Sequence, residues 1–284
     1  MEPFEEYRPL LFAIAYRMLG TVNEAEDMVQ ETYLRYQAVD PATIQVPKAF
    51  LTTVMSRLCL DYLRSAQVKR EQYIGPWLPE PLPTQADTTP DPAETVEIHE
   101  TLSMAFLILI QQLSPLERAI FLLREVFDYG YDEIGRIVGR EEAACRQVFS
   151  RAKKHLVENR PRYESPPEIH TALFAQFLQS CQTGDVESLK NLLAEDVCIW
   201  SDGGGKATAA TRPIQGRISV LVFIKSMLSR TTEETSFDIL PLNGKLGLIV
   251  RHANAIIFAL QVETDEAHIR KIWITRNPDK LTRF

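Results

Sequence analysis

Cysteine is scarce in this sequence. Four residues in 284 are cysteines, and they are scattered singly along the chain as Cys59, Cys145, Cys181 and Cys198. A structural zinc site needs close pairs of cysteines or histidines, and a disulfide framework needs a denser set. The spacing therefore predicts no metal centre and no disulfide scaffold, and it favours a reducing compartment.

Long hydrophobic runs are also missing. The longest apolar stretch, residues 104–110, is far shorter than the ~18 residues of a membrane-spanning helix. The chain begins with Glu2, Glu5 and Glu6, where a signal peptide would carry basic residues ahead of an apolar stretch. We therefore expect no membrane segment and no export signal, and we predict a cytoplasmic protein.

An excess of positive charge is the third absence. The formal net charge is −7, which excludes a protein that coats nucleic acid with its whole surface. Basic residues are instead concentrated in residues 48–70 and 136–160, each with a local balance of +4. Residues 71–100 between them hold seven acidic residues and no Lys or Arg. We therefore expect any contact with DNA at the two basic segments.

The first 70 residues carry apolar side chains at helical spacing and predict three helices. Gly20 ends the first helix, and Thr21 with Glu24 predicts a capping box at the start of the second. A loop that contains Pro47 precedes the third helix. The polar face of the second helix carries Asp27, Gln30, Glu31 and Leu34.

Residues 71–100 contain six of the seventeen prolines. Proline denies the backbone regular hydrogen-bonded ladders, so this acidic segment is predicted to be an extended linker. Trp77 is unusual there because a large aromatic side chain in a polar linker normally occupies a pocket. We predict that Trp77 docks on the C-terminal domain, and burial against one of the helical blocks is the alternative.

Residues 101–160 predict a helix-turn-helix. Ser114, Pro115 and Glu117 mark a helix start, and Gly139 separates two short helices. The outward face of the second short helix carries residues suited to base edges and phosphates. A solvated helix in a bundle would look similar, but the tight turn favours DNA binding. These outward residues are Arg146, Gln147, Ser150, Arg151 and Lys154.

The segment from residue 168 to residue 284 begins with two predicted helices, 169–182 and 186–193. Its pattern then changes to β-rich stretches at 198–200, 246–250, 255–262 and 268–275, separated by turn residues. This predicts an α+β domain after the two helical blocks.

These segments together resemble sigma factors of the extracytoplasmic-function (ECF) group. Residues 24–31 (Glu-Ala-Glu-Asp-Met-Val-Gln-Glu) are similar to the polymerase-binding segment of that family. Residues 113–118 (Leu-Ser-Pro-Leu-Glu-Arg), 131–135 and 150–156 are similar to its promoter-binding C-terminal domain, with Gly135 where Ala is more usual. Two matches in the right order across a linker are more specific than either alone.

The resemblance implies a multidomain chain. It implies an all-α σ2 domain at 1–70, an acidic linker at 71–100, an all-α helix-turn-helix σ4 domain at 101–160, and an α+β SnoaL-like, cone-shaped regulatory domain at 168–284. It also implies that core RNA polymerase binds the face of Asp27, Gln30, Glu31 and Leu34. Promoter DNA would be contacted near −10 by Lys48, Arg57 and Arg64, and near −35 by Arg146, Gln147, Ser150, Arg151 and Lys154.

Three further stretches resemble signatures of one ECF branch, whose members carry the fused SnoaL-like domain. The resemblance implies that these stretches act in interdomain regulation. They are Trp77, Leu78, Pro79 and Glu80; Asp202, Gly203, Gly204, Gly205 and Lys206; and Asn277, Pro278 and Asp279.

Two other functions remain open from the sequence. A ligand-sensing helix-turn-helix regulator would explain the DNA-binding pattern but not the acidic face around Asp27. A SnoaL-like enzyme would use the C-terminal domain, where Asp202, His252 and Trp200 are candidate pocket residues. Because no acid–base pair can be placed, we expect no enzyme activity and no cofactor. The sequence leaves open a small ligand of the C-terminal domain, the target promoters and the direction of regulation.

Overall fold

The structure, a computed structural model, describes residues 3–71, 73–84, 101–159 and 165–284. The chain divides into two compact units. The first combines Met1–Gln72 with Phe106–Arg160, and the second combines Tyr73–Ala105 with Pro161–Phe284. Part of the predicted linker therefore belongs to the C-terminal unit, and residues 85–100 lie outside the described residues.

Three helices open the first unit: α1 (Pro3–Leu19), α2 (Val22–Gln37) and α3 (Pro47–Glu71), with a 3₁₀ turn at Pro41–Thr43. This confirms the three predicted helices. Their apolar faces meet in a common core, because Leu11, Val29 and Met55 are among the side chains removed from solvent. Burial of these apolar side chains, more than helix propensity, stabilises the three helices.

The predicted capping box at the start of α2 is wrong. Thr21 occupies the N-cap position, but its side chain makes no capping hydrogen bond. Glu24 instead accepts a hydrogen bond of 3.1 Å from the Tyr62 hydroxyl of α3. A tertiary partner has therefore replaced the local one that the sequence pattern predicted.

The rest of the first unit is a short helix followed by a helix-turn-helix: α4 (Met104–Ile110), α5 (Pro115–Glu125), α6 (Tyr131–Val138) and α7 (Glu142–Asn159). The capping box of Ser114 and Glu117 is present as predicted. Gly139 ends α6 in the left-handed conformation, with φ +68°. A Cβ at Gly135 would lie 2.6 Å from the Arg140 carbonyl oxygen, so in this chain the turn packs more closely against α6 than an alanine would allow without a shift.

Arg118 ties the helices of the first unit together. Its guanidinium is buried and donates to the carbonyl oxygens of Met18, Ile110 and Gln111 at 2.7, 3.1 and 3.1 Å. Free carbonyls at helix ends need such donors when they are buried. One side chain therefore connects α1, the end of α4 and α5.

The second unit is a six-stranded sheet with three helices: α8 (Pro167–Thr183), α9 (Val186–Leu192) and α10 (Arg217–Leu228). The strand order is β2-β1-β6-β5-β4-β3, in which β1 and β6 are parallel and the other neighbours antiparallel. The strands are β1 (Leu193–Asp202), β2 (Ile214–Gln215), β3 (Thr235–Leu242), β4 (Lys245–His252), β5 (Ala255–Thr264) and β6 (Ile269–Thr275).

The two faces of this sheet are covered differently. We call the face packed against α8, α9 and α10 the inner face, and its core includes Ile199, Leu260 and Ile274. On the opposite, outer face, Ile249 and Ala259 pack against residues near the C-terminus. Register shifts interrupt three of the strand pairings, and such bulges bend a sheet. The α+β fold with a curved, helix-covered sheet is as predicted.

Candidate functional site

The predicted polymerase-binding face on α2 is open to solvent. Asp27, Gln30 and Leu34 are exposed, and Glu31 is half-exposed beside Arg35, with an ion pair of 2.9 Å. Spacings of three and four residues align these four side chains on one side of the helix. The other side of α2, including Ala25 and Val29, is buried. The face therefore combines the exposed carboxylate of Asp27 and the ion-paired carboxylate of Glu31 with an exposed leucine, Leu34, that is 53% accessible.

The DNA-reading face predicted on α7 is also exposed. The side chains of Gln147, Ser150 and Arg151 make no hydrogen bond or ion pair with any described residue. Lys154 is exposed and lies 3.9 Å from Glu158. Cys145 and Ala152 on the opposite side are buried, so the orientation of α7 is fixed by its core contacts.

Arg146 differs from its neighbours on α7. It forms a close ion pair with Glu142, and its guanidinium lies 4.6 Å from the ring centre of Tyr131. A guanidinium over an aromatic face is held by the ring quadrupole. Arg146 is therefore already engaged at the junction of α6 and α7, although it was predicted to contact the −35 element.

The three residues predicted to contact DNA near −10 have separate surroundings. The Lys48 ammonium lies 5.6 Å from the Tyr129 ring centre, while Arg64 pairs with Asp61 at 3.2 Å on the helix surface. Arg57 donates from Nε to the Ile137 carbonyl at 2.9 Å and from Nη2 to the Arg136 carbonyl at 3.0 Å. Arg57 thus caps the last turn of α6, and this role was not apparent from the sequence.

A second contact joins α3 to the loop that precedes α6. The Thr52 hydroxyl of α3 and the Tyr129 hydroxyl lie 2.8 Å apart, and Thr52 is fully buried. Lys48, Thr52 and Arg57 therefore all lie on the side of α3 that meets the helix-turn-helix. Two donors of Arg57, Nε and Nη2, are therefore engaged by protein carbonyls.

The second unit contains a buried polar network centred on Asp202, at the end of β1. Oδ1 accepts hydrogen bonds from the Tyr73 hydroxyl at 2.5 Å and from the Gly204 N–H at 3.0 Å. Oδ2 accepts from the Leu78 N–H at 2.9 Å and from Lys280 Nζ at 2.7 Å. Asp202 itself is completely buried, so its negative charge is balanced by four donors and not by water.

The segment Tyr73–Thr84, which we call the docked segment, is held by this network. Lys280 Nζ also donates to the Leu78 carbonyl at 2.5 Å and lies 4.0 Å from the Trp77 ring centre. Leu78 and Glu80 are almost completely buried, and Pro79 is buried as well. Burial, and next the hydrogen bond to Asp202, raise the pKa of the Tyr73 hydroxyl above its ordinary value. The structure therefore brings Trp77 onto the C-terminal unit.

The three glycines after Asp202 permit this close approach. Gly204 has φ +58°, and a Cβ there would lie 2.3 Å from the Asn277 side-chain nitrogen. Gly205 has φ +71°, and its Cβ would meet Ile74 of the docked segment at 3.0 Å. Beside them, Lys206 and Asp279 form an exposed ion pair of 2.5 Å. The glycine run is thus a turn that packs against Asn277 and the docked segment.

Three residues of this network were missing from the predicted set. Tyr73 links Asp202 to Asn277, whose side-chain nitrogen donates to its hydroxyl at 3.0 Å, and Lys280 supplies the balancing charge. Asn243, with φ +51°, exchanges two hydrogen bonds with Leu82 farther along the docked segment. Lys280 directly follows the predicted residues Asn277, Pro278 and Asp279, but no local pattern marks it as a partner of Trp77.

The candidate enzyme residues do not form an acid–base pair. Asp202 is engaged by the docked segment and Lys280, while His252 lies 3.6 Å from Glu234 at the end of β4. In the part of the chain that the structure describes, no group of three or more potential ligands is placed to hold a metal ion. Over the same residues, no helix combines the length and apolar character needed to cross a membrane.

Family models match both helical blocks. Sigma-70 region 2 matches residues 3–68, which include α1, α2 and most of α3. Sigma-70 region 4 matches residues 103–156, which include α4 to α6 and most of α7. The exposed face of α2 and the exposed face of α7 therefore lie one in each matched region.

Sigma factors of known sequence resemble the chain, and one of them does so over nearly its whole length. The ECF RNA polymerase sigma factor SigJ of Mycobacterium tuberculosis is 35% identical, over 98% of this chain and 92% of its own. The probable ECF sigma factor SigI of the same species is 33% identical, over 66% and 64%. The crystal structure of SigJ superposes with a TM-score of 0.79 and covers 98% of this chain and 97% of its own, at 32% identity.

Proposed function

Because the chain belongs to the ECF RNA polymerase sigma factors, we propose that it binds core RNA polymerase through α2 and carries it to promoters read by α7. The observation that carries this proposal is the pair of open faces, one acidic on α2 and one basic on α7. Sigma factors direct initiation and need no catalytic group of their own. The proposed place of action is the cytoplasm, where polymerase and DNA are found.

On α2, the proposed contact combines Asp27 and Glu31 with Leu34. Acidic side chains on a solvated helix are common, but an exposed leucine aligned with them is suited to a protein surface. A leucine anchor surrounded by charges would be desolvated on binding and would supply much of the affinity.

The polymerase contact is tested by measuring the affinity of labelled full-length chain for core polymerase. Asp27→Ala combined with Glu31→Ala should weaken binding at least tenfold. The control is Glu5→Ala combined with Glu6→Ala, which removes the same charge from exposed acidic residues of α1. Equal affinities of the two double variants would contradict the proposed face.

On α7, Gln147, Ser150, Arg151 and Lys154 are the proposed −35 contacts, and Arg146 supports them from its place over Tyr131. Arg and Gln can form paired hydrogen bonds with base edges in the major groove, while Ser and Lys suit the phosphates. In the proposed −10 contact, Lys48, Arg57 and Arg64 are all exposed, and Arg57 differs in that its Nε and Nη2 already donate to α6 carbonyls.

The SnoaL-like domain is proposed to modulate this activity in cis. The support is the network that joins the docked segment to Asp202 and Lys280, since the docked segment lies between the two sigma regions in the chain. While the docked segment is held on the sheet, fewer residues are available to connect the two sigma regions. Promoter-specific transcription by Trp77→Ala shows whether the docking inhibits or assists, and Lys225→Ala, at an exposed position of α10, is the control. Unchanged output in Trp77→Ala would contradict control by docking.

A further inference from the structure

Two arginines, Arg276 and Arg230, lie at the inner-face end of β6, and neither forms an ion pair with an acidic side chain among the described residues. Arg276 follows β6 and is half-buried, and its Nε is buried with no hydrogen-bond partner among the described residues. Arg230, just after α10, is exposed, and its side chain likewise makes no hydrogen bond or ion pair with the described residues. Burial and next the nearby charge of Arg230 lower the pKa of Arg276. Two like charges held near each other in this way are unfavourable unless an anion accompanies them.

The strand register places a third polar group on the same side. Ser201 pairs with Ile274, and Ile199 pairs with Ile272, and the three isoleucines belong to the inner-face core. Side chains two apart on a strand share a face, so Ser201 is on the inner face as well. Ser201 is only 1% exposed, and its buried hydroxyl has no hydrogen-bond partner among the described residues.

Arg276 comes two residues after Ile274, at the position where the next inner-face side chain of β6 is expected. Its N–H and that of Asn277 both donate to the Asp202 carbonyl, at 2.7 and 2.9 Å, so residue 276 is still hydrogen-bonded to β1 directly after the last paired residue, Thr275. Arg276 therefore follows Ile272 and Ile274 on the inner face, while Asp202 takes part in the network of the docked segment. The ends of β1 and β6 thus carry one set of polar residues on the inner face and a separate set, the network of the docked segment, on the other face.

We propose that Arg276, Arg230 and Ser201 form a binding site for an oxyanion, the carboxylate or phosphate group of a small molecule. Guanidinium groups and a hydroxyl are the donors that proteins use for such groups, and an apolar surface with a few polar donors is typical of small-molecule sites. The bound anion would satisfy the buried Nε and the Ser201 hydroxyl and would offset the repulsion between the arginines. Polymerase and promoter play no part in this site, so its failure leaves the proposed function standing.

The test uses the full chain and measures its thermal unfolding with added inorganic phosphate or butyrate, at an ionic strength held constant with sodium chloride. A ligand that binds only the folded state raises the melting temperature. Phosphate, butyrate or both should raise it in the unmodified chain and in Lys225→Gln, a control that removes one exposed positive charge from α10. The anion that raises the melting temperature shows whether the site binds a phosphate or a carboxylate group. Arg276→Gln and Arg230→Gln should each bind it at least tenfold more weakly.

A second readout separates a ligand site from a structural role. Without added anion, Arg276→Gln and Arg230→Gln should be at least as stable as the unmodified chain, because each relieves the repulsion. The proposal is overturned if neither anion shifts the unmodified chain, or if the shift persists undiminished in Arg230→Gln, a surface substitution that leaves the fold intact.

Discussion

The ammonium of Lys280 lies 2.7 Å from Oδ2 of Asp202, and both side chains are almost completely removed from solvent. This ion pair joins the 3₁₀ turn at Pro278–Lys280 to the end of β1, and it is shared with the docked segment through Leu78. A charge that is buried this deeply depends on its partner, because the interior cannot solvate it alone.

Removal of one member of the pair should be strongly destabilising. Lys280→Met leaves the Asp202 carboxylate buried without its cation, and we expect a loss of roughly 3–5 kcal/mol in the free energy of unfolding. The measurement is denaturant unfolding of the full chain. Lys206→Met, which breaks only the exposed pair with Asp279, should cost less than about 1 kcal/mol. Similar losses in both variants would show that the Asp202 pair is no more important than a surface one.

Gly204 in the glycine run allows a prediction that separates backbone strain from steric overlap. Gly204→Ala requires both a left-handed residue and a Cβ 2.3 Å from the Asn277 nitrogen. Gly184→Ala at φ +69° has the same strain with no atom within 4 Å. We expect about 1 kcal/mol for Gly184→Ala from strain alone and roughly 2–4 kcal/mol for Gly204→Ala, where steric overlap is added. Equal values in thermal unfolding would mean that Asn277 does not require the glycine.

The contact of Arg57 with α6 predicts different effects of two arginines on the same helix. Arg57→Ala removes two hydrogen bonds to the carbonyls of Arg136 and Ile137, and it should destabilise the first unit by about 1–2 kcal/mol. Arg64→Ala breaks only a surface pair and should change stability by less than about 0.5 kcal/mol. Hydrogen exchange of α6 amides checks this, and unchanged protection in Arg57→Ala would contradict the capping role.

His170 predicts a pH dependence of stability. It is buried on α8 beside Thr264, and desolvation, with a smaller contribution from Lys245, lowers its pKa from 6.5 to about 4. The unfolded chain then binds a proton at a higher pH than the folded chain, so the contribution is complete above pH ~6.5 and is lost as pH falls toward 4. The expected loss across this window is about 2–3 kcal/mol.

The His170 contribution is isolated by comparison with His170→Phe, which keeps an aromatic ring against Phe174. The difference in unfolding free energy between the two chains should shrink by that amount between pH 6.5 and pH 4. A difference that is constant over this range would mean that His170 titrates alike in both states.

The helical blocks were predictable because their signals are local. The capping box of Ser114 and Glu117 and the turn at Gly139 depend on residues close in sequence, and both were found as predicted. The helices α8 and α9 and the strands β1, β4, β5 and β6 were also anticipated from periodicity.

The missed features depend on distant partners or weak patterns. The helix α10 carries apolar residues at exposed positions such as Ile218 and Val222, so its sequence shows no clear polar face. The edge strand β3 exposes Phe237 and Ile239, so its sequence shows no clear alternation of polar and apolar residues. Arg57 and its α6 carbonyls are about 80 residues apart, and Tyr73 is 129 residues from Asp202. Spacing along the chain carries no information about such contacts. The polymerase and DNA roles of the named residues stay predictions.

The central claim is tested most directly by promoter-directed transcription with purified core RNA polymerase and the full chain. Transcripts that start at defined sites should appear only when both are present, should be lost with Asp27→Ala and Glu31→Ala together, and should persist with Glu5→Ala and Glu6→Ala. Absence of any specific transcript across a genomic set of promoters, with polymerase active on another sigma factor, would contradict the account.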